Sequence, residues 1–217
     1  MTEDGNDNPI VIYGASGHGK VIADIVTKSG GTVLAFFDDR ESIHNTTFCG
    51  SPIWGGAEAL RKAALNRSFS VIIGIGDNRG RYKISRLLQG ENLRIGTAIH
   101  PSAQVGGDVV IGEGTVVMAG CVINPGARIG KHCIVNTAAT IDHDCVIGDY
   151  VHLSPGAHLG GTVRVGDFTW IGLGASVINN MNIGENTIVG AGSVVIRDVA
   201  SGVVVVGNPA AFLRNIQ

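Results

Sequence analysis

One short stretch of the chain concentrates the side chains that could carry out acid–base or metal chemistry. The segment IDHDCVIGDYVHLSPGAHLGG, residues 141–161, holds His143, His152 and His158 beside three aspartates, among small and aliphatic residues. An imidazole titrates near neutral pH, so it can accept a proton from a reacting group or bind a metal ion. Three roles are therefore open for these histidines: catalytic groups, metal ligands, or polar corners of a repetitive scaffold.

The segment lies within a strict six-residue repeat. From Ile99 in steps of six to Val195, seventeen consecutive positions are Ile, Val or Leu. The position four residues after each is mostly small, and Cys121, Cys133 and Cys145 occupy it. A hexapeptide repeat predicts a parallel β-helix, in which equivalent aliphatic side chains stack and backbone hydrogen bonds join neighbouring coils. The three cysteines are accordingly predicted to be buried packing residues.

The repeat separates the three histidines from one another. His143 falls two residues after an aliphatic position, whereas His152 and His158 fall five residues after one. Separations of nine and six residues place the histidines on different faces or corners of a prism, so we predict no metal site. His158 is predicted to be a corner residue of the scaffold.

The first part of the chain has a different period. The segments PIVIYGASGHG, TVLAFFDDR and FSVIIGIGDN are predicted strands, and KVIADIVTK, GGAEALRKAALN and RGRYKISRLLQG are predicted helices. Strands that alternate with helices indicate a parallel sheet of βαβ units. We therefore predict a Rossmann-like βαβαβα domain over residues 1–97 and an all-β parallel β-helix with a short C-terminal tail over residues 98–217.

The turn after the first strand could hold a phosphate. It begins GASGHG at Gly14, follows a strand and opens a helix, so its backbone can approach an anion at the helix N-terminus. The spacing departs from the dinucleotide pattern, and a tight turn that needs glycine for its backbone is the alternative. Asp38 and Asp39 end the second strand, where an acid commonly accepts hydrogen bonds from ribose. Together the two features favour a nucleotide site.

Composition excludes several other functions. The formal net charge of −2 gives no basic surface for nucleic acid. The acidic start MTEDGNDNP does not resemble a signal peptide, and no run of about twenty apolar residues predicts a membrane span. The four cysteines form no C-x-x-C pair, which disfavours a zinc ribbon. We expect a cytoplasmic protein without membrane insertion.

Six motifs together resemble one known family: GASGHG, FFDD, IGDNRGR, NTAATIDHDCVIG, HLSPGAHLGG and VVGNPA. They are similar to bacterial nucleotide-sugar acetyltransferases of the left-handed β-helix superfamily, of the bacillosamine-pathway type, from Ile10 to about Phe212. The resemblance implies transfer of acetyl from acetyl-CoA to the 4-amine of a UDP-4-amino-4,6-dideoxy-N-acetyl sugar. It also implies a homotrimer with active sites between subunits, where one chain supplies His143 and its neighbour the CoA contacts.

The same resemblance assigns roles in the repeat. His143 would be the general base and Asp144 would orient it, although Asp142 competes for that role. His152 would face the thioester carbonyl of acetyl-CoA. Gly161 lies eighteen residues, one coil, beyond His143, so we predict that it stacks over the base, leaves room for the thioester and offers its N–H to the oxygen.

Further contacts follow from the resemblance. Asn136 would contact the sugar or His143. Near the phosphates, sugar and nucleoside we expect Gly14, Ser16, Gly17, His18, Asp38 and Asp39, with Asn78 and Arg79 as additional candidates. The CoA groove would be lined by Gly172, Leu173, Gly190 and Ala191, with Pro209 near the adenine. The basic run Arg79, Arg81, Lys83 and Arg86 is otherwise typical of the solvated face of a helix.

Two other functions remain open from the sequence. One is an O-acetyltransferase for sialic acid or a related sugar, whose acceptor carries CMP or no nucleotide. The other is a noncatalytic β-helix scaffold, which the motif around His143 and the spacing of Gly161 disfavour.

Overall fold

The described residues before the repeat form a small parallel sheet covered by helices. The computed structural model describes residues 9–89 and 93–216. The elements before the repeat are β1 (Ile10–Tyr13), α1 (Gly17–Lys28), β2 (Val33–Phe37), a 3-10 helix (Glu41–Ile43), β3 (Thr47–Phe48), β4 (Ser51–Pro52), α2 (Ala57–Asn66), β5 (Ser70–Ile73), α3 (Asn78–Leu88) and β6 (Arg94–Ile95). The sheet order is β2-β1-β5-β6, with parallel pairing, and β3 and β4 form a separate hairpin.

Alternation along these strands buries both faces of the sheet. Ile12, Phe36 and Ile72 face α1 and join the core of the repeat domain. Val11 and Phe37 face the other way and share a core with Leu60, Ile84 and Leu88. Because parallel strands covered on both faces need apolar residues on both, the near-continuous apolar runs in the sequence are explained.

The repeat domain is a three-faced prism of two-residue strands. Within the described residues, seventeen such strands, β7 to β23, follow one another at six-residue steps from Ala98–Ile99 to Val194–Val195. Their bounds are 98–99, 104–105, 110–111, 116–117, 122–123, 128–129, 134–135, 140–141, 146–147, 152–153, 158–159, 164–165, 170–171, 176–177, 182–183, 188–189 and 194–195. The second residue of each is the aliphatic position of the repeat, so the predicted register is confirmed.

Each strand from β7 to β20 pairs in parallel with the strand eighteen residues later. The first face contains β7, β10, β13, β16, β19 and β22; the second, β8, β11, β14, β17, β20 and β23; the third, β9, β12, β15, β18 and β21. Two longer strands, β24 (Val203–Val206) and antiparallel β25 (Ala211–Asn215), extend the first face. The predicted fold class is confirmed: an α/β domain followed by a parallel β-helix. The predicted boundary at residue 97 falls between β6 and β7.

The interior of the prism is apolar and its edges turn sharply. Cys121, Cys133 and Cys145 are at most 1% exposed, which confirms them as packing residues, and burial raises the pKa of all three thiols. At each edge a residue with positive φ recurs every six positions, for example Asp144 at 58° and Gly156 at 65°. A left-handed residue at each corner lets a short turn reverse direction, and glycine, Asp or Asn tolerate it best.

The two domains are packed against each other along α3. Tyr82 on α3 contacts the edges of the Tyr150 and Phe168 rings, which stack on each other 5.0 Å apart between centroids. These two rings belong to the prism edge where the third face turns into the first. The N-terminal sheet is thereby fixed over the first face of the prism.

No helix in residues 9–89 or 93–216 has the length and apolar character needed to cross a membrane.

Candidate active site

His143 and Asp144 form a hydrogen-bonded pair at the edge between the second and third faces. The turn between β14 and β15 carries both residues, and Nδ1 of His143 lies 2.8 Å from Oδ2 of Asp144. Oδ1 of Asp142 instead accepts hydrogen bonds from the His143 backbone N–H and the Asn124 side chain. The structure therefore assigns the contact with the ring to Asp144, which the sequence had left open between the two carboxylates.

This pair suits a proton acceptor. The hydrogen bond from Asp144, followed by the charges of the two flanking aspartates, raises the pKa of His143 above its ordinary value. When Nδ1–H donates to the carboxylate, Nε2 carries the lone pair and can take a proton. The imidazole is exposed in the single chain, so a reacting group can reach it.

Gly161 lies against the His143 ring, one coil further along the same edge. A Cβ at position 161 would come within 2.5 Å of Nε2 and 2.6 Å of Cε1 of His143. A side chain at position 161 would therefore meet the imidazole itself. The predicted role of Gly161, to leave room for the thioester and to offer its N–H to the thioester oxygen, stays a prediction.

His152 lies in β16 on the first face and has a very different environment. It is 8% exposed, stacks on Trp170 with centroids 5.1 Å apart, and places Nε2 3.1 Å from the Asn136 amide nitrogen. Burial, and secondarily the charge of Arg81, lowers its pKa to about 4. The ring is therefore neutral near pH 7. Asn136 contacts His152 and not His143 of the same chain, which corrects one of its two sequence-based alternatives.

An open groove begins at His152. It encloses about 480 Å³ and runs along the edge between the first and second faces. The groove is mainly apolar, and the four residues that the sequence assigned to CoA line it together with His152 and Trp170: Gly172, Leu173, Gly190 and Ala191. Pro209 lies in the turn between β24 and β25, and His158 is exposed on the second face, 2.9 Å from Thr140 Oγ1.

The glycine turn before α1 is packed against backbone at Gly14 and Gly19, and it has free space beside Gly17. Gly14 has a φ of 117°, and a Cβ there would lie 2.7 Å from the Gly74 carbonyl oxygen. A Cβ on Gly19 would lie 2.0 Å from the Gly14 carbonyl oxygen, so these two glycines are required by packing. Gly17 meets nothing within 4 Å, and Ser16 is exposed with no side-chain capping bond. Only this second part of the turn is free to meet a ligand.

Asp38 and Asp39 brace this turn from the end of β2. Asp38 accepts a hydrogen bond from the Ala15 backbone N–H at 2.9 Å and pairs with Arg40, which also donates to the Ala15 carbonyl. Asp39 accepts a 2.5 Å hydrogen bond from the Tyr13 hydroxyl. A nucleoside contact predicted for either carboxylate must therefore share it with these protein donors.

His18 brings the glycine turn to the groove. Its Nε2 is buried without a partner in the described residues, as is Nδ1 of His152. Burial, then the charges of Arg81 and His152, lowers the pKa of His18 to about 3. Because the two imidazoles act on each other electrostatically, the glycine turn lies close to the residue at which the groove begins.

Comparisons with known proteins agree with this geometry. The family model described as PglD N-terminal domain matches residues 9–88. A UDP-N-acetylbacillosamine N-acetyltransferase from Bacillus subtilis is 44% identical over 115 residues, which is 51% of each chain. The acetyltransferase domain of PglB from Neisseria gonorrhoeae is 37% identical with a TM-score of 0.88, over 95% of this chain and 100% of that domain. A variant of perosamine N-acetyltransferase from Caulobacter crescentus, solved with CoA and GDP-perosamine, is 39% identical with a TM-score of 0.92, over 96% and 98%.

This chain belongs to the sugar N-acetyltransferase family. The nearly complete coverage of the two solved structures decides this. The alignment with the curated Bacillus subtilis relative spans only about half of that protein's length. The PglB domain has also been solved with acetyl coenzyme A.

Two further residues of this acetyltransferase escaped the sequence analysis. Trp170 pairs with His152 in the register of the first face, one coil apart. The eighteen-residue rule that joined Gly161 to His143 would have found it. Arg81 is 1% exposed, although the basic run that contains it had been attributed to a solvated helix face. The helical period was the available signal, because Arg81 lies three and seven residues before the buried Ile84 and Leu88 and so shares their face of α3.

Asn78 and Arg79 of this acetyltransferase lie at the contact between the domains. The Asn78 amide donates to the backbone carbonyl of Phe168 and accepts from Arg81. Arg79 stacks over the Phe168 ring at 4.2 Å and donates to Asn186. Both side chains thus serve the docking of α3, and a substrate contact from them stays a prediction. Among the described residues, no group of three or more His, Cys, Asp or Glu side chains could hold a metal ion.

Replacing Asp38 with asparagine should reveal how strongly this carboxylate braces the turn. Hydrogen bonds from Arg40 lower the pKa of Asp38 from 3.8 to about 2, so its contribution is complete above pH 4 and lost as pH falls through 2. We expect Asp38→Asn to lower the free energy of unfolding by about 1–2 kcal/mol at pH 7. Urea unfolding of both proteins at several pH values would measure this. A difference that stays constant from pH 7 to pH 2 would contradict it.

Proposed function

We propose that this protein transfers acetyl from acetyl-CoA to the 4-amine of a UDP-4-amino-4,6-dideoxy-N-acetyl sugar. The meeting of the glycine turn and the groove at His18 and His152 carries the proposal, because it puts a nucleotide-type turn beside an apolar channel. The name of the Bacillus subtilis relative supports the bacillosamine-type acceptor and UDP. The CoA in the perosamine N-acetyltransferase complex supports the second substrate.

The proposed reaction is direct aminolysis of the thioester. The sugar amine attacks the acetyl carbonyl, a C–N bond forms, and Nε2 of His143 accepts the proton that the nitrogen loses. The C–S bond then breaks and CoA leaves as a thiolate, which takes up a proton to give the free thiol. Neutral His152 lies at the mouth of the groove, where its ring or the Gly161 backbone N–H would stabilise the developing oxyanion.

Free thiol release measures this reaction with defined acceptors. UDP-4-amino-4,6-dideoxy-N-acetyl sugars of either C4 configuration, a UDP-3-amino sugar, GDP-perosamine and sialic acid would each be supplied with acetyl-CoA. We expect release with a UDP-4-amino sugar. Release with GDP-perosamine alone would keep N-acetyl transfer but overturn the choice of UDP. Release with sialic acid alone would establish the O-acetyltransferase alternative, and no release with any acceptor would overturn the enzyme proposal.

The pH dependence should identify the base. Neutral His143 is the reactive form, so kcat/KM should fall as pH decreases through its raised pKa. Asp144→Asn removes the main cause of that increase and should shift the acidic limb to lower pH. Because a weaker base also accepts a proton less readily, we expect kcat to fall about tenfold at pH 8. An acidic limb that does not move in the Asp144→Asn enzyme would contradict the role of this pair.

We further propose a homotrimer whose active sites lie between subunits. In one chain His143 stands at the edge between the second and third faces, which is opposite the first face with His152 and the N-terminal domain. A base and a thioester contact that must meet cannot come from these two places in one prism. A second copy that presents its His143 edge to the groove would complete the site.

Mixed trimers should restore activity from two inactive variants. His143→Ala removes the base, and Ala191→Trp fills the groove at an exposed lining position. Each variant alone should be nearly inactive. If the two parts of a site come from different chains, random mixing leaves about one quarter of the sites intact, so co-expressed variants should recover about a quarter of the activity. Size-exclusion chromatography with light scattering would give the subunit number. No recovery in a confirmed mixed trimer would place both residues of a site in the same chain.

A further inference from the structure

Arg81 is the largest fully buried side chain of the described residues, and it carries a charge. It lies on α3 and is 1% exposed. In the described part of the chain, no carboxylate lies within salt-bridge distance of its guanidinium; Asp77 acts on it only through longer-range charge. Burying an unpaired cation is costly, so such a residue needs a compensating structural or functional role.

Five oxygen atoms surround the guanidinium and belong to three parts of the molecule. Nη1 donates to the carbonyls of Ile75 and Gly76 at 3.2 and 2.8 Å, in the loop between β5 and α3. Nε donates to the His132 carbonyl at 2.9 Å and Nη2 to the Tyr150 carbonyl at 3.2 Å, both on the prism edge. Nη2 also donates to Asn78 Oδ1 at 2.8 Å. One planar fork therefore ties the loop to the prism at fixed positions, which an ammonium could not reproduce.

The same side chain acts electrostatically on two imidazoles. After burial, which is the larger cause, the charge of Arg81 disfavours protonation of His152 and His18. His152 is contacted by Asn136 and Trp170 from the prism, and it interacts electrostatically with His18 from α1 and Arg81 from α3. In the proposed trimer, His143 of a neighbouring copy would be one more titratable group nearby.

We propose that Arg81 is a positioning residue for acetyl transfer: it fixes the Ile75–Gly76 loop against the prism edge that leads into His152, at the junction of the two proposed substrate sites. The expected effect on kcat/KM rests on the proposed function, whereas the effect of Arg81 on the loop and on His152 does not. A neutral His152 has one ring nitrogen that donates a hydrogen bond and one that accepts. A charged ring would have no acceptor and would repel another protonated group in the site.

Trp170 offers a direct reading of the charge on His152. A protonated imidazole quenches an indole that it stacks on, and the two rings are 15° from parallel. Trp54→Phe removes the second tryptophan, which lies beside Phe37 in the N-terminal domain. In this background we expect Trp170 emission to stay constant from pH 8 to pH 6 and to fall with a midpoint near 4. Repeating the titration with His143→Ala removes the one imidazole that a neighbouring copy would add.

Two substitutions separate the charge from the geometry. Arg81→Gln removes both, so the Trp170 midpoint should rise by about one pH unit toward the ordinary histidine value. Arg81→Lys keeps the charge and should leave the midpoint near that of the unchanged protein. Because both lose the planar fork, both should lower kcat/KM for acetyl-CoA about tenfold at pH 8, mainly through kcat. Arg86→Gln, an exposed arginine on the same helix, is the matched control and should change neither quantity.

The results distinguish this inference from the proposed function. A folded Arg81→Gln protein with an unchanged midpoint and unchanged kcat/KM would overturn it. If Arg81→Gln does not fold, the Arg81→Lys protein decides: an unchanged kcat/KM in a folded Arg81→Lys protein overturns the inference, and a tenfold loss supports it. The fluorescence reading needs no substrate, so it stands even if no acceptor is acetylated.

Discussion

Replacement of His143 by alanine should lower kcat about a thousandfold, within the range that a lost general base produces. The attacking amine must lose a proton as the C–N bond forms, and the imidazole held by Asp144 at 2.8 Å is the described group best arranged to accept it. The substitution removes an exposed side chain at a prism edge, so the free energy of unfolding should change little. Single-turnover thiol release and KM for both substrates would show the loss in the chemical step.

His158 provides the matched control for this experiment. It is also an exposed histidine of the repeat and makes one hydrogen bond, to Thr140, on the second face. His158→Ala should keep kcat within about twofold, as expected for a surface substitution away from the reacting atoms. A His143→Ala enzyme that keeps more than a tenth of the original kcat would show that another group, or solvent, accepts the proton.

Gly161→Ala should lower kcat about a hundredfold with little loss of stability. A Cβ at this position would lie 2.5 Å from Nε2 of His143, so the imidazole must move away from the place where it accepts the proton. A displacement of about 1 Å at a reacting group can reduce the rate a hundredfold. Because the ring is at the exposed end of a flexible side chain, it can rotate and the fold need not adjust. We therefore expect kcat to fall while KM for the nucleotide sugar is unchanged.

Gly107→Ala is the control for this substitution. Gly107 occupies the equivalent corner position on the same edge, three coils earlier, and a Cβ there meets nothing within 4 Å. It should leave kcat, KM and the unfolding midpoint unchanged. The double variant His143→Ala/Gly161→Ala should have the same kcat as His143→Ala alone, because Gly161 affects the rate only through the position of the His143 ring. An additive loss would instead support the original assignment of the Gly161 space to the thioester.

The repeat could be predicted in detail because its cause is local. Each aliphatic position faces the axis of the prism, and a shift of one residue would expose the whole set, so the period of six appears directly in the sequence. Ile141 and Ile171 occupy predicted positions and are fully buried. The alternation of strands and helices before Ala98 could be predicted equally well, because the hydrophobic period that distinguishes a strand from a helix lies within each short segment.

Contacts between residues of the site could be predicted where the coil length relates them. His143 and Gly161 were joined by eighteen residues of regular repeat, and the structure places them in contact. The contact of Asn136 with His152 was missed because it runs across a face, between positions sixteen residues apart, and depends on side-chain direction. The choice of Asp144 over Asp142 likewise depends on the left-handed backbone at residue 144, which turns its carboxylate toward the ring.

The sequence by itself therefore determined the two-domain architecture, the register of the prism and the set of residues at each edge, because these follow from periodic burial along the chain. Only the tertiary structure decided how the domains meet. The burial of Arg81 and the approach of His18 to His152 depend on how the N-terminal domain packs on the prism, with α3 against the prism edge. That packing joins residues far apart in sequence, such as Arg81 and Tyr150, for which no local period exists.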